Sequence, residues 1–171
     1  MATNDTESGG MKPAEPQKEH LWLRRLVGEW AYEFEVPMGP DQPPEKITGT
    51  ETVRSLGDLW FVGEGKGPMP GGDEGTTVIT LGYDPQKGRF VGTWIGSMMT
   101  YLWVYDGELD EAGKVLTLHA KGPDMAGEGK MVPYKDVITL ESDDHRVLRS
   151  HAQGDDGEWS QIMEAHYRRK G

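Results

Sequence analysis

Residues 29–36 read Glu29-Trp30-Ala31-Tyr32-Glu33-Phe34-Glu35-Val36. The even positions are apolar or aromatic and the odd ones mostly acidic, the period-two alternation of a strand with one face buried. Upstream the pattern changes. Leu21, Leu23 and Leu26 cluster beside Trp22 within residues 17–26, enough for a short helix over one end of a core, with Gly28 as its stop. Residues 1–16, MATNDTESGGMKPAEP, offer almost nothing to bury and are expected to form a disordered tail, leaving 17–171 as one domain.

Downstream, further runs bounded by turn residues occupy 47–54, 59–66, 76–83, 89–97, 100–109, 114–121, 132–141, 146–153 and 158–169. Together with the first run they make ten strands. The connections at 84–88 (DPQKG), 110–113 (DEAG), 143–144 (DD) and 155–157 (DDG) read as hairpin turns, so neighbouring strands run antiparallel. Helical signal is confined to the start, which excludes a parallel βαβ sheet and leaves a sandwich or a closed barrel. The reading is all-β: a single antiparallel up-and-down barrel of about ten strands behind a short N-terminal helix. Closure would place Trp30 beside Arg169 and let the guanidinium stack on the indole at the barrel floor. On the last run, Trp159, Met163, Ala165 and Tyr167 share the parity of Arg169 and form its apolar face.

Composition narrows the partners. The net charge of −11 repels phosphate backbones and anionic headgroups, so neither nucleic acid nor a membrane surface is an expected partner. Without cysteine the chain has no disulfide, thiolate metal site or cysteine nucleophile. The first twenty residues hold no apolar signal segment, and a cytoplasmic location is the expectation. No stretch approaches the roughly eighteen apolar residues of a membrane span.

The Gly28-Glu29-Trp30 triplet and the late Arg168-Arg169 resemble the G-x-W and terminal arginine of the calycin superfamily of lipocalins, fatty-acid-binding proteins and nitrobindins. More specific are LGYDPQKGRFVGTWIGSMMTYLWVYDGELDEAGKVLTL (81–118), YKDVITL (134–140), HRVLRSHAQGDDGEW (145–159) and MEAHYRRK (163–170). Together these resemble the bacterial domain of unknown function family 1579, which implies a lipocalin-like barrel and transfers no reaction. Ten strands bring the fatty-acid-binding and nitrobindin shapes closest.

Aromatic residues mark the candidate site. Working outward from the turn at 110–113, Tyr101, Trp103 and Tyr105 share a face with Leu116, Leu118 and Ala120, while Phe90, Gly92 and Trp94 join the same inner surface. With Tyr32, Phe34, Trp60, Tyr134 and Met163 they would line an apolar cavity suited to a flat apolar or aromatic ligand, or else fill the interior as ordinary core. Haem is the cofactor that the nitrobindin resemblance raises, held there through one histidine. Parity points His119, His151 and His166 outward and places His20 and His145 in the helix and a turn, so no cofactor and no metal are expected. For acid–base chemistry the candidates are Glu51 and Glu64, which a turn over 55–58 would set on one face with Val53, Trp60 and Val62. The opposite parity makes both solvated. The Gly-rich run 63–72 lacks the context of a phosphate loop and reads as a portal loop, its Met69 forming a rim with Met38 and Met125.

Three functions follow. The first is a small-molecule-binding protein with the ligand inside the barrel. The second is an enzyme on the same scaffold, a cofactor-free isomerase or cyclase or a haem protein. The third is a homodimerising module whose barrel is packed.

Overall fold

The computed structural model describes residues 12–69, 71–125, 127 and 129–170. The expected tail lies outside the described residues as far as residue 11; residues 12–16 are exposed and irregular. One helix, α1 (Lys18–Arg24), precedes ten strands: β1 (Gly28–Val36), β2 (Glu45–Leu56), β3 (Trp60–Pro68), β4 (Glu74–Asp84), β5 (Arg89–Gly96), β6 (Trp103–Leu109), β7 (Val115–Pro123), β8 (Met131–Ser142), β9 (His145–Gln153) and β10 (Trp159–Arg169). Each strand pairs antiparallel with the next, and β10 returns to β1 to close the barrel. Among the described residues no helix is long and apolar enough to cross a membrane.

Turn chemistry fixes the meander. Asp110 Oδ1 accepts the backbone N–H groups of Lys114 (2.8 Å) and Val115 (3.0 Å), which holds its carboxyl below the usual carboxylate value. Gly113 completes that turn at φ +67, a conformation glycine adopts without cost.

The helix closes one end. Leu23 and Leu26 are buried with Trp30, Phe61, Phe90, Leu116 and Leu140, and Trp22 Nε1 donates to Gly113 O at 2.6 Å. Each such apolar side chain contributes roughly 1.5–3 kcal/mol on burial, so α1 acts as a plug. At the same end Arg169 lies opposite Trp30 in the ladder, its guanidinium carbon 4.3 Å from the indole centroid. The guanidinium also donates to the carbonyls of Val27 (2.7 Å), Arg25 (3.0 Å) and Asp143. Gly28 is what admits it: at φ +139 it takes a backbone few L residues adopt, and a Cβ there would collide with Arg169 Nη1.

Two local features reverse the facing expected for part of the interior. The connection between β2 and β3 is the three residues Gly57, Asp58 and Leu59, with Leu56 opposite Trp60 and Thr52 opposite Glu64. Gly57 and Asp58 both sit at positive φ, and Leu59 N donates to Leu56 O at 3.3 Å, as in a type I′ turn. An odd-length loop turns Phe61, Gly63 and Gly65 inward and sends Trp60 and Glu64 out, so Trp60 is 43% exposed rather than a lining residue. In β10 the register slips between Gln161 and Met163. That bulge keeps Met163, Ala165 and Tyr167 on one face and turns Trp159 outward, where Lys135 Nζ sits 4.5 Å from its ring. The glycine-rich run also divides: Gly63, Gly65 and Gly67 belong to β3, while Met69, Gly71 and Gly72 lie outside any strand.

Candidate functional site

Inward residues form two zones above the plug. Nearer the open end stand Tyr32 and Phe34 from β1, Trp94 from β5, Trp103 from β6, Tyr134 from β8 and Met163 from β10. Two clusters organise them. Tyr32 stacks on Phe34 with centroids 6.2 Å apart and tilts against Tyr167 at 5.4 Å. Trp103 makes edge contacts with Tyr101 (5.1 Å) and Tyr134 (5.0 Å), and the Tyr134 hydroxyl donates to Pro123 O. Glycines make the room: a Cβ at Gly122 would strike the Trp103 ring, and one at Gly49 or Gly67 would strike Tyr32. Tyr101 lies in the connection before β6 rather than in a strand, its hydroxyl donating to Lys121 O at 2.8 Å.

Below the rings the interior turns polar. Arg146, from β9, is buried and donates through Nη2 to the buried carboxylate of Glu51 from β2. Its guanidinium carbon lies 4.6 Å from the Trp30 ring centroid and 4.1 Å from that of Tyr167. Since Arg169 also lies over Trp30, cations and rings alternate in the order Arg169, Trp30, Arg146, Tyr167. Arg146 Nη1 is buried and has no hydrogen-bond partner among the described residues. Opposite, Asp136 of β8 accepts from the Tyr105 hydroxyl and, at 2.6 Å, from Ser150 Oγ. Burial pushes the Asp136 carboxyl above its usual value, and burial together with the Asp136 charge pushes the Tyr105 phenol up. Burial, and then the Glu51 charge, raise the Tyr167 phenol too.

These groups surround a cavity of ≈ 80 Å³ whose wall includes Glu51, Gly63, Trp94, Tyr105, Asp136, Arg146 and Tyr167. A water molecule takes up about 30 Å³ in the liquid, so the space holds a few waters or the end group of a larger molecule. Of the two glutamates singled out in the sequence, Glu51 is in this wall and Glu64 is outside the barrel beside Lys66. Asp136, Arg146 and Ser150 were not anticipated. Their signal is parity: Asp136 alternates with Tyr134 and Ile138, and Arg146 and Ser150 alternate with Leu148, so a polar residue stands wherever the buried face predicts an apolar one.

The histidines lie elsewhere. His119 and His166 bond to Glu108 and Glu164, each at 2.9 Å, while His145 stacks on His166. His20 Nδ1 accepts from Gln17 N in α1, and His151 lies opposite Lys135 in the β8–β9 ladder. No group of three or more His, Cys, Asp or Glu able to hold a metal ion occurs among the described residues. Met69 and Met98 both lie over Gly75, whereas Met38 and Met125 are exposed.

A closed ten-stranded meander plugged by one helix, with a polar cavity under an aromatic upper zone, is a calycin-type β-barrel. The chain belongs to the family described as Protein of unknown function (DUF1579), which matches residues 15–169. Among solved structures it is similar to Rv2717c from M. tuberculosis, at TM-score 0.60 and 12% identity over 92% of this chain and 100% of that one. It is also similar to the S-type phycobiliprotein lyase CPES from Guillardia theta, at TM-score 0.55 and 15% identity over 91% and 99% of the two chains. At these identities the likeness is one of fold. No curated protein matches the sequence.

Proposed function

We propose that the barrel binds one small molecule, its apolar or aromatic body held by Tyr32, Phe34, Trp94, Trp103, Tyr134 and Met163. One observation carries this reading. A filled interior buries its rings completely, as at Trp30 (0% exposed) and Phe61 (2%), yet Tyr32, Phe34, Trp94 and Trp103 point inward and are only partly buried. Inward rings reached by solvent are apolar surface awaiting a partner. The phenol and indole groups beside them suit a flat ligand with few polar atoms.

N-phenyl-1-naphthylamine, a neutral aromatic dye, tests the reading. It should bind one per barrel, gain fluorescence and quench tryptophan emission by energy transfer. Absence of saturable binding at one site per barrel would return these rings to the role of core.

A further inference from the structure

We propose that the ligand's inner end is a neutral carbonyl-type oxygen, hydrogen-bonded by Arg146 and by the Tyr167 hydroxyl, and is not a carboxylate. The proposal rests on the binding reading above and assigns the chemistry of its deepest contact. Arg146 is the free donor: its side chain is 7% exposed, Nη2 is engaged by Glu51, and Nη1 is buried without a partner among the described residues. A buried donor left unpaired costs stability, so it marks a place where an acceptor belongs. Tyr167, whose hydroxyl likewise has no hydrogen-bond partner among the described residues, is in the wall of the same cavity.

Charge decides what kind of acceptor fits. Glu51 already neutralises Arg146, so a ligand carboxylate would enter as an uncompensated anion in a buried site, with Asp136 also in the wall. Desolvating that charge takes back more than one hydrogen bond returns. The protein's net charge of −11 repels an anion before it arrives. Asp136 is no competing anchor, because its two carboxylate oxygens are occupied by Tyr105 and Ser150. A ketone, ester or amide oxygen uses the spare donors and adds no charge. The ≈ 80 Å³ of the cavity accommodates such an end group while the body lies among the rings above.

Three probes of nearly one shape separate the possibilities in the full chain: 2-acetylnaphthalene, 2-naphthoate and 2-ethylnaphthalene, each titrated against bound N-phenyl-1-naphthylamine. The ketone should displace the dye about tenfold more tightly than either of the others, the scale of one hydrogen bond to a charged donor. In the paired variant Glu51→Gln/Arg146→Met the ketone's advantage over 2-ethylnaphthalene, both titrated against that variant, should fall severalfold, to what the Tyr167 hydroxyl alone supports. Tyr167→Phe, which alters no charge, should reduce the advantage severalfold and keeps the test open should the paired variant not fold. Tightest binding by 2-naphthoate, equal binding of ketone and hydrocarbon, or an advantage that these variants leave undiminished would each overturn the proposal while the dye still binds. Failure of the dye itself would remove the binding reading and this proposal with it.

Discussion

Trp103 stands where ligand and stability give different answers. Its indole lies against Gly122 and the edges of Tyr101 and Tyr134 but is not fully enclosed. Trp103→Ala should weaken dye binding by more than about 1 kcal/mol, from lost area and stacking. In urea unfolding it should cost less than the roughly 3–5 kcal/mol of a packed core tryptophan. Arg146 behaves oppositely. Arg146→Met alone strands the buried Glu51 carboxylate and should cost about 3–5 kcal/mol, whereas adding Glu51→Gln should recover most of that loss. The double-mutant cycle by urea denaturation measures the coupling. His145 supplies a pH dependence. Burial first, then the charges of Arg168 and His166, lower its pKa against the smaller opposing effect of Glu141. A folded value below the unfolded one means that the neutral ring contributes stability present above about pH 6.5 and lost as pH falls through the folded value. The His145 ring protons should titrate below the unfolded value in NMR, and His145→Gln should flatten the acid-side loss of stability.

Glycine shapes β2 and β3 more than any apolar residue does. Gly49, Gly63, Gly65 and Gly67 line their inner face, and a Cβ at Gly49 would meet both the Tyr32 ring and, at 2.6 Å, the Lys66 carbonyl oxygen. Because the backbone cannot yield as a side chain can, Gly49→Ala should destabilise by about 1–3 kcal/mol in urea unfolding. Thr48→Ala, on the outer face next door, should stay within about 0.5 kcal/mol. The same two strands show what the sequence can and cannot reveal. Alternation in residues 29–36 was enough to define β1 and its inner face, since a strand with acidic residues on one side has a single sensible orientation. Position 64 was not legible, because it depends on one residue of loop length: a four-residue turn over 55–58 sets Glu64 on the face of Glu51, and the three-residue loop 57–59 sets it on the opposite one. Trp159 was misplaced by a single bulge that no composition announces. The polar floor was hidden for a different reason: Arg146 and Glu51 lie on β9 and β2, far apart in the chain, and neither is unusual until the closed barrel brings them together.

The whole barrel closes through a ladder of five pairs between its first and last strands. β1 and β10 share the pairs from Trp30↔Arg169 to Phe34↔Ala165, while residues 159–164 of β10 pair only with β9. Beside this gap runs a surface groove bordered by Glu33, Lys46, Glu164 and His166. Amides of residues 159–164 that point away from β9 should exchange with deuterium well before those of the β3–β4 ladder, which hydrogen-exchange mass spectrometry can resolve. Dye binding need not slow them if the ligand sits among the rings and not in the groove. The seam also governs how the chain finds its shape. Every other ladder joins strands consecutive in the chain and can grow as a local hairpin, but this one joins residues 30–34 to 165–169. The conformational entropy of ring formation therefore falls on this one pairing of segments distant in the chain. Substitutions at the seam therefore act on the one contact that turns a sheet into a ring, while those in the hairpins act on pairings an open sheet would share.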